Sequence, residues 1–219
     1  MNKKAYIKGD FGHVRTQIRR EEVVGIFDLV GFTDIDSNDG LLAAVKSMET
    51  QISLVIGRED YAWDERERGG SAVEAKQNEI LLRSTGDGYF IAFSQTDNDI
   101  EILNCLASIH KGISENVREV KLGINKGANY VVMDMVSRVN VIGWGINYAA
   151  RALQFAQAGQ IICTGYIAKP LIEEHGKITE DVMKDLGEHT IKNVKLNLFN
   201  YYKKEEFGAP PTDEQTKSS

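Results

Sequence analysis

Two carboxylates stand where a strand-like apolar run meets a glycine turn. Asp28 lies within residues 23–33 (VVGIFDLVGFT), and Asp87 lies within residues 84–90 (STGDGYF). Glycine lets a metal or a phosphate approach the backbone closely, and Mg²⁺ prefers oxygen ligands such as carboxylates. Two Mg²⁺ ions about 3.5–4 Å apart can bind a triphosphate, activate an attacking hydroxyl and neutralise the leaving oxygen. Either Asp alone is typical of a turn or a helix cap, but the pair points to phosphoryl transfer.

Asn147 and Arg151 lie four residues apart, which places them on one face of a predicted helix. Asn is a poor helix former, so a mid-helix Asn needs tertiary contacts that offset its cost. The apolar neighbours Ile146, Ala149 and Leu153 indicate a closely packed helix with one polar strip, whereas an exposed polar face is the alternative. An Arg directed at a transferring phosphoryl group contributes about 10³–10⁵ in rate in analogous enzymes.

The backbone that follows Asp28 adds a candidate anion site. Gly31, Phe32 and Thr33 are predicted to open a helix. Unpaired amides at a helix start carry a partial positive charge, which favours a phosphate group. The chain therefore offers carboxylates for metal, and amides and an arginine for phosphate.

Composition excludes several other classes of protein. The 219 residues suit one sizeable domain with 42% hydrophobic residues, and a net charge of -6 argues against a general nucleic-acid binder. Cys105 and Cys163 lie in apolar stretches and are predicted to be reduced core thiols. The four histidines show no ligand spacing to one another or to the cysteines, so a zinc site is not expected. The polar start and the lack of a membrane-length apolar run predict a cytoplasmic, soluble protein.

Strand and helix patterns alternate along the chain, with hairpins among them. Periodicity predicts strands at about 22–29, 80–83, 89–93 and 160–164, helices at about 41–56, 99–117 and 168–174, a helix bearing Asn147, a hairpin-like run at 120–133 and a final strand pair at 185–203. This order predicts an α+β fold with a ferredoxin-like βαββαβ core and C-terminal αβ additions.

The chain divides into three predicted parts. Residues 1–21 form an N-terminal extension, residues 22–204 a globular domain, and residues 205–219 a disordered tail that contains two prolines and ends in serines. The polar segment 58–77 is predicted to be a solvated loop or a helix extension. A basic cluster precedes the first strand and is either a solvated surface or a cover for a dimer; it consists of Arg15, Arg19 and Arg20.

Taken together, the motifs of this chain resemble those of the class III nucleotidyl cyclase catalytic domain, the fold of adenylyl and guanylyl cyclases. The motifs that carry the resemblance occur in the family's order and are residues 27–33 (FDLVGFT), 85–88 (TGDG), 122–127 (LGINKG), 143–151 (GWGINYAAR) and 159–161 (GQI), followed by Gly187, Ile191, Lys192 and Tyr201. The resemblance covers about residues 23–202, nearly the whole chain, and so makes residues 22–204 the expected catalytic domain.

The resemblance implies that a nucleoside triphosphate is converted to a 3′,5′-cyclic monophosphate with release of pyrophosphate. In that picture two divalent ions, Mg²⁺ or Mn²⁺, are held by Asp28, Leu29 and Asp87. The 3′-hydroxyl attacks the α-phosphorus in line, and Phe32 and Thr33 contribute to substrate binding.

The resemblance also implies a head-to-tail homodimer with two sites at its interface. Asn147 would orient the ribose, Arg151 would stabilise the charged transition state, and Lys192 would contact the outer phosphates. These residues and the base-recognising residues would come from one protomer, and the Asp pair from the other.

The two base-recognising positions depart from both purine patterns of the family. They are Arg83, four residues before Asp87, and Asn140, seven before Asn147. Arg offers only hydrogen-bond donors and Asn offers donors and an acceptor, which suits uracil or cytosine. The simpler alternative is an adenylyl cyclase in which Arg83 replaces the family's Lys.

Stand-alone chains of this kind are similar to bacterial antiphage pyrimidine cyclases, which make cyclic UMP or cyclic CMP for a partner effector. A catalytically inert cyclase-like domain is the non-enzyme alternative, but such domains typically lose a metal Asp or the Asn–Arg pair, and this chain retains all four residues. Lys121 and Asn125 replace the family's commoner Arg and His, with no consequence predicted.

Overall fold

A computed structural model describes residues 15–56, 80–94, 98–133, 139–175, 178–179 and 181–216. Its strands are β1 Arg15–Leu29, β2 Ile80–Ser84, β3 Gly88–Ser94, β4 Val120–Met133, β5 Val139–Gly143, β6 Ile161–Thr164, β7 Met183–Ile191 and β8 Val194–Tyr201. Its helices are α1 Asn38–Ile56, α2 Asp99–Asn116, α3 Trp144–Phe155, α4 Gly165–His175 and α5 Asp213–Thr216, with a 3₁₀ turn at Phe32–Asp34.

The strands form one mixed sheet that confirms the predicted α+β fold. The order is β2-β3-β1-β4-β6-β8-β7, and β5 pairs with β4 off this path. The first four strands, β2-β3-β1-β4, are antiparallel neighbours and make the ferredoxin-like core. The remaining strands extend the sheet through a parallel β4–β6 contact, since the crossover helix α3 carries the chain back across the sheet.

The two faces of the sheet bury different helices. Phe27 and Leu29 of β1 belong to the larger apolar core, which also contains residues of α1 and α2. Ile26 belongs to a smaller core that includes Ala149 of α3. Because side chains alternate along a strand, Asp28 lies on the same face as Ile26, the face that α3 covers.

Helix α3 packs against β4 at very short range. A Cβ on Gly123 would lie 2.3 Å from the Ala149 carbonyl oxygen and 2.4 Å from the Leu153 nitrogen. Only glycine permits this approach, so the position of α3 on the sheet depends on residue 123.

Two predicted boundaries in the first half of the chain differ from the structure. Strand β1 begins at Arg15, not near residue 22, because its backbone pairs with the long strand β4 as far as Met133. The predicted hairpin at 120–133 is wrong: these residues form one continuous strand, and its hairpin partner is β5. The polar segment 58–77 and the side chains of the basic cluster lie outside the described residues.

The predicted disordered tail is ordered as far as Thr216. The Ala209 amide donates to the Gly159 carbonyl at 2.8 Å, and the side-chain amides of Gln160 and Gln215 bond to each other at 2.9 and 3.0 Å. Gln160 is 1% exposed, and a buried amide is costly unless it is hydrogen-bonded. The composition of the tail does not reveal this partner, since Gln160 is far away in sequence.

Within the described residues, no helix combines the length and the apolar character needed to cross a bilayer.

Candidate active site

The end of β1 and the start of β3 place Asp28 beside Asp87. Asp28 pairs with Gly88 across the two strands, and the Leu29 amide donates to the Asp87 carbonyl at 3.0 Å. A Cβ on Gly88 would lie only 1.9 Å from the Phe27 carbonyl oxygen, so this approach requires glycine. The turn that carries Asp87 is therefore held against the strand that carries Asp28.

The electrostatics of the pair would favour a bound cation. Burial raises the pKa of Asp28, the negative charge of Asp87 raises it further, and a hydrogen bond between the two carboxyl groups acts in the same direction. The positive charge of Lys121 opposes these effects and lowers the pKa of Asp28. Lys121 lies opposite Asp28 in the β1–β4 register. Two acidic groups this close repel each other when both are ionised, and a bound cation removes that penalty.

The chemistry of these donors fits the two divalent ions that the sequence implies. Mg²⁺ sites typically use one or two carboxylates, with substrate phosphates and waters completing the coordination. Asp28 and Asp87 supply two carboxylates, and the residues described hold no cluster of three or more acidic, His or Cys ligands. Two carboxylates alone would leave most coordination positions of a divalent ion to water or to a ligand's phosphates.

The loop after Leu29 is tightly folded but does not open a long helix as predicted. Residues Phe32–Asp34 form a single 3₁₀ turn, and α1 begins only at Asn38. Gly31 has a φ of 64°, a left-handed conformation that favours glycine. The Arg118 guanidinium donates to the Gly31 carbonyl oxygen and ties this turn to the start of β4. Phe32 packs against the larger core, and Thr33 is exposed.

Helix α3 brings Arg151 to the β7–β8 hairpin. The Arg151 Nη1 donates to the carbonyl oxygens of Ile191 at 2.6 Å and Lys192 at 3.1 Å. Lys192 and Asn193 form the two-residue turn of this hairpin, with φ values of 47° and 65°. The predicted phosphate-contacting Lys192 is therefore exposed at a tip whose backbone Arg151 holds.

Buried amides on β4 fix the start of α3, where Asn147 lies. The Asn129 Oδ1 accepts the Ile146 amide at 3.1 Å, and its Nδ2 donates to the Glu22 carboxylate at 3.0 Å. Asn125 donates to the Gly145 carbonyl at 3.0 Å. Asn125 and Asn129 are both fully buried, so these bonds form away from water and are strong. Asn125, which departs from the family pattern, therefore helps to hold the start of α3 in place.

The two predicted base-recognising residues are not brought together by neighbouring strands. Arg83 lies on the edge strand β2 and Asn140 on β5, with β3, β1 and β4 between them in the sheet. The Asn140 Oδ1 accepts the amide of Val141 at 2.8 Å. Asn147 is exposed and lines a cavity together with Ala128, Tyr130, Gly143 and Trp144.

Three residues near these groups were not predicted to belong to the site. Lys121 departs from the family pattern in sequence, and its place opposite Asp28 follows only from strand register. Arg118 had no signal, because its partner Gly31 is 87 residues away. The sequence does contain one indication for Trp144. It is a large aromatic residue between two glycines, at the start of the helix that carries Asn147 and Arg151.

Solved structures with a similar fold are nucleotidyl cyclases. The adenylyl cyclase CyaB from P. aeruginosa matches with a TM-score of 0.63 and 17% identity, over 89% of this chain and 100% of that chain. The guanylyl cyclase Cya2 matches with a TM-score of 0.60 and 16% identity, over 89% and 99%. The guanylate cyclase domain of RhGC from Catenaria anguillulae, solved in complex with GTP, matches with a TM-score of 0.63 and 16% identity, over 84% and 97%.

No protein-family model matches this chain, and no curated protein matches it by sequence. The identities to the solved structures are low, so the likeness establishes the fold alone. The chain has the mixed α+β fold of class III adenylyl and guanylyl cyclase catalytic domains.

Proposed function

We propose that this chain, which has the class III cyclase fold, is a nucleotidyl cyclase that converts UTP or CTP to the 3′,5′-cyclic monophosphate and pyrophosphate. The observation that carries the proposal is the pair of neighbouring carboxylates, Asp28 and Asp87, at the end of the interior strand β1. An inert cyclase-like domain has no need to hold two acidic groups at a distance where they repel each other.

In the proposed reaction the substrate's 3′-hydroxyl loses its proton to solvent, and its oxygen bonds to the α-phosphorus. The bond from that phosphorus to the oxygen that bridges to the β-phosphorus breaks, and this oxygen leaves with the pyrophosphate. Asp28 and Asp87 would hold the two divalent ions, which supply charge neutralisation and a lowered pKa for the attacking hydroxyl. Leu29 follows Asp28 directly, and its backbone amide donates to the carbonyl oxygen of Asp87 at 3.0 Å. The Lys121 ammonium would add positive charge on the same face.

The remaining site residues act on the ribose and the phosphates. Asn147 would orient the ribose, while Arg151 would donate to the oxygens of the reacting phosphate as negative charge develops there. Lys192 would contact the outer phosphates from the hairpin tip that Arg151 holds. Phe32 and Thr33 belong to the turn beside Asp28 and would line the phosphate path.

The site is proposed to form between two copies of the chain. Asp28 and Asp87 lie where β1 meets β3, whereas Arg151 and Lys192 lie at the β7–β8 hairpin. In the sheet, β4, β6 and β8 stand between β1 and β7. A head-to-tail homodimer would bring the Asp pair of one protomer to the Arg–Lys pair of the other, and would give two sites by symmetry.

The choice of base is proposed from Arg83 and Asn140. A guanidinium can donate to the carbonyl groups of uracil or cytosine, and an amide can both donate and accept. A site that leaves its polar groups unpaired with the wrong base discriminates strongly against that base. The cyclic pyrimidine nucleotide would serve as a second messenger for an effector that binds it.

Turnover of each triphosphate by the purified full chain tests the proposal. The protein is incubated with ATP, GTP, CTP or UTP and Mg²⁺ or Mn²⁺, and the products are identified by mass spectrometry. UTP or CTP should be cyclised fastest, with UTP slightly favoured. ATP as the best substrate would overturn the base choice and leave an adenylyl cyclase, whereas no cyclic product from any of the four would overturn the enzyme itself.

A further inference from the structure

A row of three aromatic rings, exposed at both ends and half-buried in the middle, borders the cavity that Asn147 lines. We call Trp144, Tyr148 and Tyr166 the aromatic ledge. The ring centroids of Trp144 and Tyr148 lie 5.5 Å apart at 54°, and those of Tyr148 and Tyr166 lie 5.7 Å apart and are stacked at 21°. Trp144 is 63% exposed and Tyr166 is 58% exposed. The ledge therefore presents an ordered aromatic surface to solvent.

Contact among the rings keeps the ledge in place before any ligand arrives. Trp144 and Tyr148 lie four residues apart on α3, so their side chains meet on one helix face. Tyr166 of α4 supports Tyr148 from the other side. Stacking of a ligand on Trp144 would cost little side-chain entropy, because the neighbouring ring already restricts the indole.

The cavity beside Trp144 suits a small, uncharged, flat group. Its volume is about 300 Å³, at the lower end for small-molecule sites. Two aromatic rings, one amide, one Ala and one Gly line it, and none of these side chains is charged. A Cβ on Gly143 would lie 2.8 Å from the Ala128 carbonyl oxygen, so a side chain at position 143 would not fit there. The described lining residues offer no charged partner for a triphosphate, whereas they offer a nucleobase an aromatic face and a side-chain amide.

We infer that Trp144 is a stacking surface for the base of the nucleoside triphosphate, with Tyr148 and Tyr166 supporting the indole. This inference rests on the proposed function and adds a binding residue to it. A strand of nucleic acid would be a poorer occupant, since the chain carries a net charge of -6 and none of the described residues that line the cavity carries a positive charge for a phosphate backbone.

Stacking would then contribute affinity for the base, and hydrogen bonds to the edge of the base would contribute selectivity. Every base has an aromatic face, so Trp144 would contribute affinity for all four bases and little selectivity. Asn140 pairs with Val132, two residues from Tyr130, and therefore shares the face of the β4–β5 hairpin on which Tyr130 lies. Selectivity would come from polar groups such as Asn140 at the edge of the stacked base.

Fluorescence of Trp144 tests the stacking directly. The Trp63→Phe variant of the full chain leaves Trp144 as its only tryptophan. The four 3′-deoxynucleoside triphosphates with Mg²⁺ are the probes, since they lack the attacking hydroxyl, and inorganic tripolyphosphate is the base-free control. We expect saturable quenching by the best-bound nucleotide and none by tripolyphosphate. Equal quenching of Trp144 emission by tripolyphosphate overturns the inference. It is also overturned if the emission changes with protein concentration, as it would for contact between protein copies, but not with nucleotide.

Calorimetry on matched variants completes the test. Trp144→Ala should weaken binding of the best 3′-deoxynucleotide about 5- to 150-fold, the range for loss of one base–aromatic stack. Trp144→Phe, which keeps a flat ring, should lose less than about 5-fold, and Leu54→Ala, at a residue 71% exposed on α1, should bind normally. Normal binding by Trp144→Ala in a wild type that makes cyclic product overturns stacking alone. Base-dependent quenching without any cyclic product overturns the cyclase function alone.

Discussion

Arg151 holds the backbone of Lys192. Its Nη1 donates to the Lys192 carbonyl at 3.1 Å and to the preceding Ile191 carbonyl at 2.6 Å. The two-residue turn that contains Lys192 has left-handed φ values that a non-glycine residue adopts only at some cost. The position of Lys192 therefore depends on Arg151, although the two residues lie 41 positions apart in the sequence. Both are proposed to contact the phosphates.

This coupling predicts non-additive effects of two substitutions. Arg151→Ala should lower kcat by about 10³-fold or more. Lys192→Ala should lower kcat/KM by roughly tenfold, the loss of one phosphate contact worth about 1.4 kcal/mol. The double variant should be no worse than Arg151→Ala, because the turn has already lost its support. Lys195→Ala, at an exposed residue of the same hairpin, is the control and should retain activity. Losses that simply multiply would show that the two residues act independently.

Removal of one carboxylate tests the cation site. Asp87→Asn should keep the fold and reduce cyclic product below roughly a tenth of wild type, since a lost metal ligand costs several kcal/mol of charge stabilisation. Circular dichroism checks the fold, and product mass checks the activity. Asp39→Asn, at an exposed acidic residue in the first turn of α1, should leave activity unchanged. Residual activity of Asp87→Asn above that level would count against its part in holding metal.

Complementation tests the shared site. Asp87→Asn and Arg151→Ala homodimers should each be inactive, because both of their sites carry one lesion. A heterodimer of the two has one site with both lesions and one site with none, so its activity should return toward half that of wild type. Co-expression with two different tags isolates the heterodimer. An inactive, verified heterodimer would rule out the composite site.

A dimeric site also makes activity depend on concentration. Specific activity of the wild type should fall on dilution once the dimer dissociates, because a monomer lacks a complete site. Light scattering at the same concentrations measures the fraction of dimer. Constant specific activity across the range in which the protein becomes a monomer would also contradict the composite site.

The buried amide Asn129 should matter for stability and for Asn147. Asn129→Ala removes the acceptor of the Ile146 amide and the donor to Glu22, and should lower the free energy of unfolding by at least about 2 kcal/mol. Because Ile146 precedes Asn147, kcat should fall as well. Urea unfolding and turnover at saturating substrate measure the two effects. The control is Asn116→Ala, at an exposed amide that bonds to its own helix, where both quantities should change little.

A buried histidine predicts acid sensitivity. Burial lowers the pKa of His110 to about 4, against the usual 6.5, and its ring bonds to the Val120 carbonyl at 3.0 Å. The unfolded chain binds a proton at this residue between these two pKa values and the folded chain does not, so stability falls as pH falls from about 6.5 to about 4. Between pH 7 and pH 5 the loss should be about 2 kcal/mol.

Substitution of this histidine separates its contribution from that of other acid-sensitive groups. His110→Gln keeps a donor for the Val120 carbonyl but does not titrate in this range. The free energy of unfolding, measured by urea titration, should therefore change between pH 7 and pH 5 by about 2 kcal/mol less in the variant than in the wild type. Equal changes in both proteins would contradict the buried neutral state of His110.

Local patterns determined the order of strands and helices and the candidate residues. Apolar alternation and helical periodicity predicted β1, α1, β2, β3 and α2, although they gave a hairpin where the single strand β4 lies. The observed sheet order β2-β3-β1-β4 confirms the ferredoxin-like core. Glycines on both sides of Asp87 indicated a tight turn, and Gly88 is indeed required for the contact with Phe27. These features follow from neighbouring residues, and the sequence contains that information directly.

Tertiary structure alone decided which distant groups meet. Lys121 reaches Asp28 through the register of two antiparallel strands, and Arg151 reaches Lys192 because α3 and the β7–β8 hairpin pack at the same end of the sheet. The segment 205–216 is ordered because a buried Gln160 needs hydrogen-bond partners there. The partners in each of these contacts lie far apart in sequence, so composition and the periodicity of neighbouring residues could not specify them.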